Sequence, residues 1–392
     1  MVPAGMAIIS NAYRGEQRAL ALGTLVGVSG VAQSMGPLLG GFLTAEVSWR
    51  WVFLMNLPLV AVIIIVAVRS IQESHAKNAS HRIDIAGVLI LAAALTSLLL
   101  GLNAAQVVAL GLIALSLALF VILTLVERRT DNAILDGKLL RLPSFLCSCV
   151  ASFLLGFVFF LFLFITAVYL QERLGYNALT AGIALAPLSL VLAVTGVMSG
   201  RLTSRFPLPT LLIMSCVSLA SGLAILSFMP ASYGYVGMVL PFLLVAAGVG
   251  PGFTLLNTAG LAAISAERSG QATGMIYMFR FAGGAIGVAA ASALHSALFR
   301  HQLVFRLSET PLSFAHQKLL EQPGAAERIR QIDSGLLASQ VEQVRQAFYE
   351  SFVAAFTGTL RLNVIVPIAI AILTMILMMG KREGRKEMVT SD

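Results

Sequence analysis

The stretch Gly23–Gly41, GTLVGVSGVAQSMGPLLGG, is apolar and carries small residues at a regular helical spacing. Steps of 4, 3, 4, 3 and 4 place these residues on one face of an α-helix, here called the first small-residue face. The face comprises Gly23, Gly27, Gly30, Ser34, Pro37 and Gly41. Such a face lets another membrane helix approach to backbone contact. We therefore predict a closely packed membrane helix near residues 19–44, bent at Pro37.

A second segment, Gly182–Gly200, repeats this arrangement and is called the second small-residue face. Its small residues follow the same steps, with Pro187 beside them; they are Gly182, Ala186, Ser189, Ala193, Gly196 and Gly200. We predict that the two faces contact each other and slide during function. The alternative is that both faces reflect only the abundance of small residues in membrane helices.

The composition is typical of an all-α polytopic membrane protein. Of the 392 residues, 58% are hydrophobic and 11% are charged, and the mean hydropathy is +0.90. Soluble domains carry about 25% charged residues. We therefore interpret the net charge of +8 through loop topology and not as a sign of nucleic-acid binding. The cysteines Cys147, Cys149 and Cys216 are expected to be free packing thiols.

Hydropathy predicts one half-helix at the start of the chain and ten full membrane helices. The full helices are expected near 19–44, 56–68, 85–102, 107–126, 145–170, 181–200, 209–228, 236–264, 271–294 and 352–379. With the loop 11–18 in the cytoplasm, the cytoplasmic loops and tail hold 16 Lys and Arg residues, whereas the short outer loops hold two. Basic residues concentrate on the cytoplasmic side. We expect a multi-pass inner (plasma) membrane protein with a cytoplasmic C-terminus.

An internal repeat relates the two halves of the chain. Ala4–Ser10, AGMAIIS, matches Ala259–Ser265, AGLAAIS, at five of seven positions. In the second half, three complete helices and about 110 residues, from Phe145 onward, precede this point. The first half has no counterpart of these helices. We therefore expect about three helices to be missing upstream.

Four motifs carry a resemblance to a known family. They are Gly36-Pro37-x-x-Gly40-Gly41, Trp49-Arg50-Trp51-x-Phe53-x-x-Asn56-x-Pro58, Tyr169-x-Gln171 and Arg280-x-x-Gly283-Gly284-x-x-Gly287. Together they resemble the fourteen-helix drug:proton antiporter branch of the major facilitator superfamily. The resemblance implies two six-helix bundles, two linker helices and alternating access around a central cavity. It also implies a proton gradient as the energy source, with no cofactor, and adds Gly36 and Gly40 to the predicted interface.

This resemblance implies a division of the chain and an N-terminally truncated family member. The family's helices 1 to 3, with the acidic residue of helix 1, have no counterpart here. Residues 1–68 are then the end of helix 4 with helices 5 and 6, and 69–141 are a linker with two extra transmembrane helices. Residues 142–380 are the C-terminal six-helix bundle, including an outer helical hairpin at 296–350, and 381–392 are a cytoplasmic tail.

The candidate substrate path consists of aromatic and polar residues inside apolar helices: Gln33, Phe153, Phe157, Phe160, Phe164, Asn257, Tyr277 and Arg280. An intramembrane charge costs about 3 kcal/mol or more unless it is paired or hydrated. Arg280 can attract an anion, pair with a carboxylate on the missing helices, or bind backbone carbonyls. The aromatic and polar residues can equally serve packing alone. Arg361 is expected to snorkel outward, and Gly248, Gly250 and Gly252 predict a pliable helix.

The sequence favours a transporter over an enzyme. We find no catalytic set, no metal-ligand spacing and no phosphate-binding loop between a strand and a helix. The leading hypothesis is proton-coupled export of drugs or other lipophilic or cationic compounds. The expected partners are a small-molecule substrate and membrane lipids, with no nucleic acid. Whether a periplasmic adaptor is also a partner is left open by the sequence. The alternatives are a truncated non-transporting remnant or regulatory partner, and a metabolite transporter of the same fold.

Overall fold

The computed structural model describes residues 38–70, 84–104, 106–127, 137–230, 234–262, 268–308 and 338–375, with Ile264 and nine isolated positions before residue 38. Within this part every regular element is helical, and nine helices are long and apolar enough to cross a membrane. The predicted all-α polytopic fold is therefore confirmed. The predicted helix near residues 19–44 lies largely outside the described residues.

The helices are numbered in chain order after a π-helical turn at Leu43–Val47. They are α1 Trp51–Leu54, α2 Asn56–Ser70, α3 Ile85–Asn103, α4 Gln106–Glu127, α5 Gly137–Leu140, α6 Pro143–Glu172, α7 Ala178–Leu202, α8 Leu208–Ser227, α9 Tyr235–Leu261, α10 Ser269–Ser308 and α11 Ala338–Asn363. After a turn at Val364 the chain is helical again over residues 365–375, α12. A turn at Met55 separates α1 from α2, and both lie within one candidate span, Trp51–Arg69.

Side-chain caps explain where some helices begin. The Asp84 carboxylate accepts the N–H of Gly87 at 2.8 Å and starts α3, and Asn177 does the same for Thr180 at 2.8 Å and starts α7. Because the chain is already helical from Trp51, the Asn56 amide instead donates to the Val52 carbonyl at 3.1 Å.

Helix α9 lies at the centre of a C-terminal bundle formed by α6 to α12. Its glycines at alternate positions face three different helices. A Cβ atom on Gly248 would lie 2.6 Å from Leu219 of α8, and one on Gly252 would lie 2.7 Å from Leu155 of α6. Gly250 packs against the carbonyl of Leu192 in α7. The helix runs unbroken through this region, so the glycines there allow close packing on every side.

Helix α10 is longer than a membrane crossing requires. Its 40 residues span about 60 Å, roughly twice the hydrocarbon core of a bilayer. The far end packs against the start of α11, where Leu303 and Val344 are buried and Arg306 pairs with Glu350. The predicted outer hairpin at 296–350 therefore begins and ends as direct continuations of two membrane helices. Residues 309–337 of that hairpin lie outside the described residues.

The helices before α6 are much less buried. Helices α3 and α4 pair as a hairpin, in which the Ser116 hydroxyl donates to the Ala94 carbonyl at 2.8 Å, and α3 also contacts α10. By contrast, none of the span Trp51–Arg69 is buried within the described part of the chain. The described fold is thus a packed C-terminal bundle with loosely attached helices before it.

Candidate substrate path and helix interface

The glycine motif of α10 forms a backbone contact with α6. Gly283 faces the carbonyl of Phe153 and Gly287 faces the carbonyl of Phe157, each too close for a side chain. Gly156 of α6 faces the carbonyl of Arg280 in the same way. This reciprocal contact fixes α10 against α6 and sets where the Arg280 side chain leaves the helix. The motif therefore has a structural role that its spacing alone did not reveal.

Arg280 is buried at the meeting point of α6, α9 and α10. Its side chain is 5% exposed, and its Nη2 donates to the Phe253 carbonyl at 3.2 Å. The guanidinium carbon lies over the Phe253 ring, 4.1 Å from the centroid, and over the Tyr277 ring, 4.5 Å from the centroid. These are favourable cation–π distances. One of the options considered from sequence, binding to a backbone carbonyl, is present in this geometry.

The structure brings three of the predicted path residues to one region. Tyr277 lies one helical turn before Arg280 on α10, and Asn257 lies one turn after Phe253 on α9. The Asn257 Oδ1 atom is buried, and the described residues give it no hydrogen-bond donor. Sequence reasoning missed Phe253, although its four-residue spacing from Asn257 placed it on the same helix face.

The four phenylalanines of α6 line the surface next to α10. Phe153, Phe157, Phe160 and Phe164 are all half-buried. Phe160 packs directly on Gly284, whose added Cβ would lie 2.5 Å from its ring, and it contacts Phe281 with ring centroids 6.2 Å apart. These contacts show that the row takes part in packing. Its role in binding a substrate stays a prediction.

Of the first small-residue face, only the end lies within the described residues. Gln33 and the face residues Gly23, Gly27, Gly30, Ser34 and Pro37 lie outside the described residues. A Cβ on Gly41 would lie 2.5 Å from the Ala178 carbonyl, at the start of α7. Among the described residues, nothing lies within 4 Å of a Cβ added to Gly36 or Gly40. The end of the first small-residue face thus contacts α7, the helix that carries the second small-residue face.

The second small-residue face is divided between two environments. Gly182, Ser189 and Gly196 are buried, Ala186 and Ala193 are half-buried, and Gly200 is exposed. Gly196 faces α9 of its own bundle, because a Cβ there would lie 3.4 Å from the Gly250 carbonyl. Thr254 of α9 completes this contact with a hydrogen bond to the Gly196 carbonyl at 3.2 Å. Sliding between the two faces stays a prediction.

Other polar groups have structural partners. Arg361 donates through Nε to the Ser227 carbonyl at 3.1 Å, and so satisfies a carbonyl at the C-terminal end of α8. Asn363 donates to the Val158 carbonyl at 3.3 Å and ties α11 to α6. The cysteines Cys147, Cys149 and Cys216 are free thiols. In the described part of the chain no group of three or more His, Cys, Asp or Glu side chains is placed to hold a metal ion.

Comparison with known proteins gives a family and several relatives. The sequence pattern of the Major Facilitator Superfamily matches residues 1–288. Multidrug resistance protein 3 of Bacillus subtilis is 24% identical over 97% of this chain and 75% of its own length. Multidrug transporter protein MdtP of Bacillus subtilis is 26% identical over 81% of this chain and 61% of its own length. Multidrug resistance protein Stp of Mycobacterium tuberculosis is 29% identical over 72% of this chain and 54% of its own length.

A solved structure shares the fold. It is the crystal structure of a bacterial homologue of the human lysosomal transporter Spinster, in an inward-facing and occupied conformation. The two structures superpose with a TM-score of 0.52 at 15% sequence identity, covering 95% of this chain and 72% of the other. The chain therefore spans between about half and three quarters of the length of the proteins that it matches.

Proposed function

We propose that this chain, which belongs to the Major Facilitator Superfamily, exports drugs or other lipophilic compounds, cations included, by alternating access. The family consists of membrane transporters and not enzymes, and the chain is a multi-pass membrane protein. Three relatives are named for multidrug resistance or transport, which supports drugs as the substrate class. The energy source in this proposal is the proton gradient, without a cofactor.

One contact carries the alternating-access part of this proposal. Gly41, at the end of the first small-residue face, packs on the Ala178 backbone of the C-terminal bundle. In a transporter whose two bundles rock against each other, such a contact between bundles changes during the cycle. Close glycine contacts suit this movement because no side chain has to be displaced.

The remaining features complete the proposal. The chain lies in the inner membrane with a cytoplasmic C-terminus, and residues 1–68, 69–141 and 142–380 act as first bundle, linker and second bundle. Small-molecule substrates and membrane lipids are its partners, and a periplasmic adaptor is a further candidate. The described spans hold their Asp and Glu residues at helix ends or in the outer part of α11.

The test is dye efflux from cells that express this 392-residue chain in a strain without its own drug exporters. Lipophilic dyes of both charges are loaded, and their loss is followed with the proton gradient intact and after a protonophore collapses it. We expect efflux that stops when the gradient is lost. Absence of efflux, with the chain shown to be in the membrane, would contradict the proposal.

A second candidate function has one observation in its favour. None of the Trp51–Arg69 span is buried against the described residues. A non-transporting membrane remnant or regulatory partner would tolerate this exposure, since lipid covers an apolar helix. Proton-linked dye efflux by the chain alone would reject this alternative.

A further inference from the structure

Arg280 is a buried cation that no described carboxylate neutralises. It lies eleven residues after Ser269, about 17 Å along α10, inside a span that is apolar enough to cross a membrane. Its contacts in the described part of the chain are the Phe253 carbonyl, the Phe253 ring and the Tyr277 side chain, which offers both its ring and a hydrogen bond. These groups offset part of the cost of burying the charge, but they do not cancel the charge itself.

The same region leaves hydrogen-bonding groups without partners. The Arg280 Nε–H has no acceptor, and the Asn257 Oδ1 has no donor, among the described residues. Buried polar groups are normally satisfied, so each unsatisfied group calls for an explanation. A bound oxyanion would accept from the Nε–H in a charge-assisted hydrogen bond, the stronger class of hydrogen bond. The Asn257 Oδ1 accepts hydrogen bonds only, so a hydroxyl or N–H group of the same ligand would have to donate to it.

The aromatic rings favour an anion over a cation for a second reason. An aromatic face attracts a cation, but the guanidinium of Arg280 already covers one face of Phe253 and one face of Tyr277. A cationic ligand at this place would meet a like charge in a site of low dielectric constant, where repulsion is strong. An aromatic ligand with a negative group instead meets apolar ring edges and one positive charge.

We propose that Arg280, Phe253, Tyr277 and Asn257 form a binding site that selects aromatic organic anions over aromatic cations of the same shape. This inference rests on the proposed transport function, because alternating access is what opens a side chain that is 5% exposed to a ligand. It narrows the substrate class within that function, since the site discriminates by charge.

The test measures binding of two dyes with the same xanthene ring system, fluorescein as the anion and rhodamine 123 as the cation. The purified full chain in detergent is titrated against each dye, and binding is followed by fluorescence polarisation. We expect fluorescein to bind about tenfold more tightly than rhodamine 123, the size of one charge-assisted hydrogen bond. Equal binding, tighter binding of rhodamine 123, or binding of neither dye overturns the site.

Variants separate charge recognition from a structural role. Arg280→Gln should remove the preference for fluorescein, and Arg280→Lys should keep part of it, because the positive charge stays. Arg345→Gln is the matched control, since Arg345 lies on α11 with 57% of its side chain exposed and pairs with Glu342. Asn257→Asp is a second variant, and it keeps Arg280. Its added carboxylate should neutralise the charge of Arg280 and abolish the preference for fluorescein. A preference unchanged in both Arg280→Gln and Asn257→Asp overturns the site.

The transport assay distinguishes failure of this site from failure of the proposed function. Efflux of rhodamine 123 without fluorescein would leave transport standing and overturn the anion site. Preferential fluorescein binding without efflux of either dye would support the site and contradict the proposed export function.

Discussion

Two spans of this protein are equally apolar, yet they have opposite environments. Among the residues that the structure describes, none of the span Trp51–Arg69 is buried, whereas 15 of the 30 residues of Pro143–Glu172 are buried. The difference lies in small residues. The first span contains no glycine or serine, whereas the second contains Gly156 together with Ser148 and Ser152, which are buried. In a membrane, lipid is as apolar as a protein core, so small residues and polar contacts, and not hydrophobicity, decide which helices pack.

Of the substitutions that test this comparison of two spans, one at Gly283 is expected to have the largest effect. Gly283→Leu should prevent stable assembly of α6 with α10, because a side chain there has to displace the backbone of Phe153. The measurement is the yield of monodisperse protein on size-exclusion chromatography in detergent. Gly274→Leu on the same helix is the control, since nothing lies within 4 Å of a Cβ at that position. Equal yields from both variants would show that this contact does not hold the bundle together.

A smaller but still large effect is expected for packed aromatic residues. Phe162 is fully buried in α6, whereas Phe53 is 67% exposed in α1. Phe162→Ala should destabilise the protein by about 3–5 kcal/mol, because it leaves a cavity, and Phe53→Ala should have little effect. The melting temperatures of both variants are measured by thermal unfolding in detergent, with a fluorescent dye whose signal does not depend on thiols. Similar shifts in the two melting temperatures would mean that the Trp51–Arg69 region is packed in the working protein.

The contact between the two regions gives the third prediction. Gly41→Leu should reduce dye efflux by about tenfold while the protein still inserts, because the new side chain overlaps the Ala178 backbone at a cost of about 1–3 kcal/mol. Gly36→Leu is the control on the same segment, since the space around Gly36 is open. Normal efflux by Gly41→Leu would argue against a working interface at this point. Gly40→Leu extends the test: loss of efflux there would show that its open face becomes packed in another state of the cycle.

The smallest effect is expected where the C-terminal end of α10 meets α11. Arg306 and Glu350 form an ion pair whose side chains are 36% and 38% exposed. Glu350→Gln should lower stability by less than about 1 kcal/mol, because exposed ion pairs are screened by water and salt. Glu342→Gln breaks the Arg345 pair on the same helix and serves as the comparison. A loss of several kcal/mol for Glu350→Gln would show that this outer contact contributes as much as the membrane core.

Part of the candidate site was predictable and part was not. Arg280 and Tyr277 stood out because polar side chains are rare inside apolar helices, and both lie in the structural cluster. Phe253 did not stand out, because a single phenylalanine in a membrane helix carries no signal of its own. The glycines of the Arg280 motif pack closely on α6, a contact that their spacing alone did not reveal. Helical spacing is a local property, and it does not encode which helix lies opposite.

The sequence by itself determined the class of protein, the positions of nine apolar spans and the residues with small side chains. The class and the spans follow from composition, and the faces of small residues follow from the 3.6-residue helical period. Both are properties of a single segment of the chain. Only the tertiary structure decided which carbonyl each glycine meets, why Arg280 reaches α9, and why the Trp51–Arg69 span is not buried among the described residues. Those outcomes depend on segments far apart in the chain meeting in space, because an apolar surface in a membrane has no preference between lipid and protein until shape and hydrogen bonding supply one.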